Sequence, residues 1–253
     1  MTRTNYPDLI KELAFTDFKL RYHNSVLGYL WSLLNPLLLF GVLYMVFSVF
    51  LRFEVDNYPV YLLFGIVIWS FFSESTLGAM NSLINKASLI KKIYFPRSIL
   101  IISSNLTTSF GFLLNFLVFL VFFFGAGLRP SLNFLFIIPY FIVLLMIIVG
   151  VSLLISSIFI RFRDLSHIWG VLLQLGFWIT PIVYPLGFVP EKYHFWILLN
   201  PIARIIFDVR NAIMYSIVPS PESIIGVFLF SLIILFIGYF TFRKLSPRFA
   251  EWL

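Results

Sequence analysis

Charged side chains are scarce in this chain of 253 residues: Asp, Glu, Lys and Arg make up 11% of it, while 60% of its residues are hydrophobic. Soluble globular domains have roughly 45–50% apolar and about 25% charged residues. The scarcity excludes a disordered chain, an ordinary soluble enzyme and a nucleic-acid-binding domain. The remaining class is a polytopic membrane protein.

Cysteine is absent, which excludes disulfides, thiolate metal sites and cysteine nucleophiles. The three histidines, His23, His167 and His194, are far apart and form no pair at ligand spacing. No G-x-x-x-x-G-K-[ST], G-x-S-x-G or H-E-x-x-H pattern occurs in the sequence. We therefore expect no P-loop, no catalytic site and no metal site on this chain, so uphill transport would need an outside energy source.

Long uncharged runs are abundant, and a bilayer core needs about 20 apolar residues in a helix. They predict an all-α integral membrane protein, a single domain over residues 1–253, with six transmembrane helices at about 26–51, 58–84, 98–124, 132–160, 165–184 and 223–242. One acid, Glu74, interrupts the second span. No signal-peptide apolar core precedes the first span, so we expect that span to remain in the mature protein.

The cations are distributed unevenly over the predicted loops. Six spans place both termini on one side, and that side carries 13 of the 18 Lys and Arg residues. Cytoplasmic loops are enriched in Lys and Arg. Both termini are therefore predicted to be cytoplasmic.

Residues 5–24, before the first span, have a mostly amphipathic pattern. Pro7 and Asp8 suit the start of a helix, while Asp17 and Arg21 fall inside its otherwise apolar arc. An interface helix on the cytoplasmic leaflet is the favoured interpretation, and a solvated lead-in is the alternative.

Residues 185–221 are external and too apolar for a loop. Two apolar runs, 195–199 and 202–207, are too short to span and are separated by Asn200-Pro201. Such runs are typical of re-entrant or interfacial helices. Non-helical backbone at membrane depth must be buried in protein or line a cavity, so this region is a candidate for the outer mouth of a pathway.

Polar and aromatic side chains form stripes within the spans. In the second span Ser70, Glu74, Gly78, Asn81 and Asn85 share one face, which fits a polar pathway or a hydrogen-bonded helix contact equally well. Aromatic rings beside hydroxyls and amides suit sugars, but packing or an interfacial aromatic belt explains them as well. The candidate substrate-channel residues are Tyr29, Phe40, Tyr44, Phe47, Glu74, Gln174, Trp178 and Tyr184.

The loop at 85–97, NKASLIKKIYFPR, is basic with apolar residues between its cations. It fits either binding of anionic lipid headgroups or a short helix that docks into a cytoplasmic partner.

Several segments together resemble one family, the transmembrane permease of bacterial ABC exporters for lipid-linked polysaccharide. They are VLGYLWSLLNPLL at 26–38, IKKIYFPRS at 90–98, RFRDLSHI at 161–168, FWITPIVYP at 177–185, LNPIARI at 199–205 and RFAEWL at 248–253. O-antigen exporter permeases of the Wzm type are nearest in pattern, and capsule and teichoic-acid permeases are similar.

The resemblance implies a homodimeric permease in the bacterial inner membrane, joined to two copies of a separate ATPase subunit that binds ATP and Mg. The substrate would be a glycan on an undecaprenyl-pyrophosphate carrier, in a channel lined by the first span, its dimer mate and the fifth span. The loop at 85–97 would hold the coupling helix that contacts the ATPase, with Ser88, Leu89, Ile90, Lys91, Lys92, Tyr94 and Arg97.

The cations Lys19, Arg21, Lys91 and Lys92 are candidates for steering the pyrophosphate, although the positive-inside rule also explains them. Three alternatives stay open. They are a permease of the same architecture for a drug or simple lipid, a passive channel, and a membrane enzyme acting on a lipid-linked sugar. The enzyme would need loop carboxylates, for which Asp164, Glu191 and Asp208 are the candidates.

Overall fold

The computed structural model describes residues 6–21, 28, 30–92 and 95–252. In that part of the chain the structure is helical and contains no strand. The α-helices are α1 (Tyr6–Arg21), α2 (Leu30–Tyr44), α3 (Tyr58–Asn85), α4 (Ala87–Lys92), α5 (Ser98–Gly125), α6 (Ile137–Phe159), α7 (Leu165–Ile179), α8 (His194–Leu198), α9 (Pro201–Met214), α10 (Pro221–Leu245) and α11 (Phe249–Trp252). A π-helical segment, Met45–Phe50, continues α2, and a 3-10 turn, Leu132–Phe136, leads into α6.

Five helical segments within the described residues are long and apolar enough to cross a membrane, which makes the chain a multi-pass membrane protein. They are Leu30–Phe50, Tyr58–Asn85, Ser98–Gly125, Leu132–Phe159 and Pro221–Arg248. Each coincides with one of the predicted spans. The predicted fifth span differs: its helix, α7, has 15 residues and ends at Ile179. At 1.5 Å per residue α7 is roughly 22 Å long, short of a hydrocarbon core of about 30 Å.

The early end of α7 has a local cause. Thr180 follows Ile179 with an extended backbone (ψ 134°), and Pro181 comes next. Proline lacks the N–H that a continuing helix needs, and it disfavours helical geometry at the residue before it. The stretch 180–184 is therefore non-helical.

Helix α3 is the centre of the bundle. It is buried over most of its length, with α5 and α6 packed against it. Aromatic rings make these contacts: Phe64 and Phe119 have ring centroids 5.2 Å apart, and Phe71 and Phe112 are 4.5 Å apart. Apart from its polar stripe, α3 is mostly apolar around its circumference, which is expected of a helix at such a central position.

Helices α6 and α10 pack backbone against backbone at two glycines. A Cβ placed on Gly238 would lie 2.1 Å from the carbonyl oxygen of Gly150, and one placed on Gly150 would lie 2.7 Å from the backbone nitrogen of Leu235. Small residues of this kind let membrane helices approach closely.

The described parts of both termini meet at one end of the bundle. An apolar cluster there joins the start of α5 to the end of α10 and to α11, and α1 and α4 pack into it; its members include Leu13, Ile90, Ile99, Phe242 and Phe249. We call it the terminal cluster. Helices α1 and α11 therefore lie at the same end of the bundle, while six spans and cytoplasmic termini stay predictions.

Helix α1 is held against α5 and the loop before α4. The hydroxyl of Thr107 on α5 donates to the carbonyl oxygen of Ala14, 3.1 Å away. The acid that interrupts the predicted apolar arc, Asp17, forms an ion pair with Lys86. The imperfect amphipathic pattern thus has a structural reason, because this carboxylate faces a cation of the protein. Placement of α1 on a leaflet stays a prediction.

Candidate transport site

The non-helical stretch 180–184, which we call the outer break, is held by side chains from two other helices. Unpaired backbone carbonyls are costly inside a membrane protein, so each needs a donor. The Arg210 guanidinium on α9 donates to the carbonyl oxygens of Pro181 (2.6 Å) and Ile182 (2.8 Å). The outer break is therefore fixed by a charged donor.

Arg210 is almost entirely buried, with 2% of its surface exposed. Its guanidinium carbon lies 3.6 Å from the ring centroid of Tyr61 on α3. A Cβ on Gly65 would lie 2.2 Å from one of its terminal nitrogens, so only glycine leaves room for the cation there. Burial lowers the pKa of Arg210, but a guanidinium is so strong a base that it stays charged. Its two carbonyl acceptors and the Tyr61 ring offset the cost of burying that charge.

Two tyrosines of α3 complete the support of the outer break. The hydroxyl of Tyr58 donates to the carbonyl oxygen of Val183 (2.9 Å), and that of Tyr61 donates to the carbonyl oxygen of Tyr184 (3.1 Å). Together with Arg210 they bind the carbonyls of residues 181–184. The end of α7 is therefore coupled to α3 and α9.

The predicted external region folds as two short helices separated at Asn200-Pro201. Asn200 caps α9, since its side-chain oxygen accepts from the backbone N–H of Ile202 (3.0 Å). Its amide nitrogen donates to the hydroxyl of Thr180 (3.1 Å). The capping residue thus ties α9 to the outer break. The re-entrant placement of α8 and α9 stays a prediction.

Asp208, one of the three carboxylates considered for a membrane enzyme, is bound by side chains of neighbouring helices. It is buried on α9 and accepts hydrogen bonds from the hydroxyls of Tyr140 (2.7 Å) and Ser223. Arg204, one turn earlier, lies 3.4 Å from the same carboxylate oxygen. These contacts join α9 to α6 and α10.

The other two candidate carboxylates are exposed: Asp164 directly precedes α7, and Glu191 follows it in the chain. Among the described residues there is no group of His, Asp and Glu that fits a metal ion.

The aromatic candidates on α2 and its π-helical extension pack against rings of the same chain. Phe40 is 9% exposed and lies 5.3 Å, centroid to centroid, from Phe122. Tyr44 stacks on Phe40, and Phe47 packs against Phe53. The Phe40 ring is therefore enclosed by its own chain, and its place in a substrate channel stays a prediction. Tyr44 and Phe47 remain half-buried.

The candidates on α7 are more accessible. Gln174 is exposed, and half of the Trp178 surface is exposed. Tyr184 folds back so that its hydroxyl donates to the carbonyl oxygens of Trp178 (3.0 Å) and Ile179 (3.1 Å). Those carbonyls have no partner within the helix, so Tyr184 completes the end of α7. Trp178 and Tyr184 are thus brought together.

Part of the polar stripe on α3 is a helix contact. A Cβ on Gly78 would lie 3.3 Å from the hydroxyl of Ser104 on α5, and nearby Ser75 and Thr108 hydroxyls are 2.6 Å apart. Glu74 is half-buried. The helix-contact interpretation therefore holds for Gly78.

The predicted coupling residues 88–92 lie on α4. Ile90 is buried in the terminal cluster and Leu89 is half-buried, whereas Ser88, Lys91 and Lys92 are exposed. Contact of α4 with an ATPase subunit stays a prediction. The Arg97 guanidinium carbon lies 5.8 Å from the Phe249 ring centroid.

Among the remaining candidates, Lys19 is exposed on α1. Tyr29, Tyr94 and the side chain of Arg21 fall outside the described part of the chain.

Sequence reasoning treated Arg210 and Asp208 as external loop charges and missed their burial. The available signal was two opposite charges, two residues apart, within a short and mostly apolar run, because charged side chains among apolar residues are rarely buried unless they are paired. Tyr61 carried no such signal, since it is one of several aromatic residues in its span.

Comparison with known proteins agrees with this architecture. Residues 8–214 match the ABC-2 type transporter family. The O-antigen export system permease protein RfbA of Klebsiella pneumoniae is 35% identical over 245 residues, covering 96% of this chain and 94% of that protein.

More distant relatives align over similar lengths. The RfbA permease of Myxococcus xanthus is 27% identical over 97% of this chain and 95% of its own length. The polysialic acid transport protein KpsM of Escherichia coli is 26% identical over 92% of each. With the family match extending over most of the helices, the chain belongs to the ABC-2 type transporter family of membrane proteins.

Proposed function

We propose that this chain is the membrane permease of an ATP-driven exporter of polysaccharide linked to undecaprenyl pyrophosphate. It acts as a homodimer in the bacterial inner membrane, with both termini cytoplasmic, and two copies of a separate subunit bind and hydrolyse ATP. The observation that carries the proposal is the alignment of nearly the whole chain with permeases named for O-antigen export and polysialic acid transport.

The exposed faces of α2 and α7 support a homodimer. On α7 Leu173 is buried, whereas the exposed side chains include Ile168, Val171, Leu175 and Ile179 together with Gln174. An amide within an apolar face is costly against lipid and favourable against another helix or water. A second copy would cover part of this face and leave Gln174 and Trp178 in a passage between protomers, where an amide and an indole suit sugar hydroxyls and ring faces.

The outer break supports an external gate. Because residues 180–184 are bound by side chains of α3 and α9, movement at the end of α7 would either carry those elements with it or break these hydrogen bonds. In the proposed cycle, ATP binding by the partner presses on α4 and α1, and the movement reaches α7 through the bundle to open the passage at the outer break.

The proposal is tested by deleting the gene and measuring polysaccharide on the cell surface. We expect loss of surface glycan, accumulation of the lipid-linked glycan inside, and restoration only when the chain is supplied together with an active ATP-binding subunit. An inactive P-loop variant of that subunit is the matched control. Full surface glycan in the deletion strain would contradict the proposal.

The alternatives give different results in the same strain. Export that continues with the inactive P-loop variant would indicate a passive channel. Unchanged polysaccharide with altered efflux of a drug or simple lipid would indicate another cargo. A lipid-linked glycan that reaches the surface chemically altered, with Asp164 or Glu191 required for the alteration, would indicate an enzyme.

A further inference from the structure

A large cavity lies at the terminal end of the bundle, apart from the proposed passage. Its volume is about 1250 Å³, and its walls come from α4, α5, α6 and α10 with the ring of Tyr6 at one edge. None of its lining residues belongs to α2 or α7, which carry the exposed channel candidates. An occupant of this cavity therefore has no need to move with the transported glycan.

The end of the cavity nearest α4 is strongly basic. Lys91, Lys92, Arg97 and Arg243 line it, and no Asp or Glu occurs among the described residues that form its walls. Lys91, Lys92 and Arg243 are exposed, and Arg97 is half-buried. Four cations from three segments of the chain thus line one cavity without a lining carboxylate, which favours a group carrying negative charge.

The deeper wall is apolar. Ile102 of α5, Leu153 of α6 and Leu235, Phe236 and Tyr239 of α10 line it. Phe236 and Tyr239 are largely exposed, so this part of the cavity opens on the side of α10 that faces hydrocarbon in a bilayer. One molecule that satisfies both regions has an anionic head and long apolar chains.

We infer that this cavity binds an anionic phospholipid of the leaflet next to the termini, with its phosphate among the four cations and an acyl chain along α6 and α10. Basic clusters beside membrane helices attract anionic lipids. An apolar trough adds the hydrophobic contribution of each buried methylene group. The lipid is a resident component, distinct from the transported lipid-linked glycan.

The charge complementarity is tested on the purified full-length chain in neutral detergent. Native mass spectrometry measures retained lipid while phosphatidylglycerol or phosphatidylcholine is titrated. We expect the phosphatidylglycerol complex to be the tighter one, and the double variant K92Q/R243Q to weaken it by roughly tenfold. The control K244Q/R248Q removes one Lys and one Arg that are exposed nearby but do not line the cavity, and it should change affinity by less than about twofold.

A second pair of variants tests the apolar wall. Ile102→Trp fills the trough without removing a cation and should weaken phosphatidylglycerol binding, whereas Leu113→Trp, exposed elsewhere on α5, should not. Equal binding of the two phospholipids, equal effects of the two double variants, or unchanged binding in Ile102→Trp would overturn the proposal.

Competition separates the phospholipid from other anions. Inorganic phosphate at millimolar concentration should displace little phosphatidylglycerol, because it lacks the acyl chains. Complete displacement by phosphate would reduce the cavity to a simple anion site. Displacement by undecaprenyl phosphate at far lower concentration would assign it to the transported carrier. Either result would overturn the proposal of a resident phospholipid, and neither depends on the export function.

Discussion

The Arg210 guanidinium lies 3.6 Å from the centre of the Tyr61 ring, and the two side chains together bind three of the backbone carbonyls in the outer break. The contact joins α3, α7 and α9 at one buried point. Disrupting a buried cation and its acceptors strongly destabilises a protein, because removing one partner leaves the other polar groups buried and unpaired.

Replacing Arg210 should weaken the outer end of the bundle. We expect Arg210→Gln to lower the free energy of unfolding by about 2–4 kcal/mol, because it removes two charge-assisted hydrogen bonds. Arg210→Lys keeps the charge but lacks the forked donor geometry, and it should recover only part of that loss. Thermal unfolding in detergent measures both. Arg129→Gln, at an exposed loop position, is the control and should stay within about 0.5 kcal/mol of the original chain. Equal stability of Arg210→Gln and Arg129→Gln would contradict the assigned role.

Gly65→Ala should destabilise the protein by displacing the Arg210 guanidinium. The added methyl group would overlap an Arg210 nitrogen, so we expect a loss of about 1–3 kcal/mol. In a double-mutant cycle with Arg210→Gln, the effects should be less than additive, because the neighbour of the methyl group has already been changed. Gly111→Ala, which faces open space on α5, is the matched control. Fully additive effects would show that Gly65 acts independently of Arg210.

The backbone contact between α6 and α10 can be tested by comparing two glycine substitutions on α10, one at the contact and one away from it. Gly238→Ala would force a methyl group against the Gly150 carbonyl, and backbone cannot move aside as a flexible side chain can. We expect a loss of about 1–3 kcal/mol. Gly226→Ala, on the same helix with nothing within 4 Å, should be neutral or slightly stabilising because alanine favours helix. The measurement is the melting temperature of each variant in the same detergent. Equal melting temperatures would contradict the close packing of α6 and α10.

The ion pair between Asp17 and Lys86 should hold α1 in place. Lys86→Asp alone places two carboxylates together and should free α1, which limited proteolysis detects as faster cleavage near the N-terminus. The charge reversal Asp17→Lys with Lys86→Asp should restore protection. Because both side chains are partly exposed, the expected effect is only about 0.5–1 kcal/mol. Failure of the double reversal to restore protection would indicate that this pair does not anchor α1.

The outer face of α4 should be needed for coupling to the ATPase. Acidic substitutions at Lys91 and Lys92 should reduce export without preventing membrane insertion, but those lysines also line the lipid cavity. Ser88→Trp is more selective, because Ser88 is exposed on α4 and does not line that cavity. We expect it to abolish most export while the permease remains in the membrane fraction. Ser88→Ala should export normally, and normal export by Ser88→Trp would exclude Ser88 from the contact.

Much of the architecture follows from composition and the length of apolar runs. The five longest helices match predicted spans because about 20 apolar residues determine a membrane helix with little help from tertiary contacts. The break after α7 has a local cause in Thr180-Pro181, since proline acts on its own segment of the chain.

The side chains that bind the outer break could not be identified from the sequence alone. Arg210 and Tyr61 are 149 positions apart, and no local pattern links them. The same limit applies to Asp17, whose partner Lys86 lies 69 positions away. A buried charge needs a partner, but only the packing of the helices shows which charges are buried and what they contact.

The short α7 also affects how the protein fits its membrane. As a sixth span, α7 would leave roughly 8 Å of a typical hydrocarbon core uncrossed. Around an ordinary short helix the bilayer adapts by thinning. In the proposed six-span arrangement, residues 181–184 would cross the remaining depth without exposing their carbonyls to lipid, because those carbonyls already have donors within the protein. Membrane thickness should consequently have little influence on where α7 ends, and lipids with longer or shorter tails should leave that boundary unchanged.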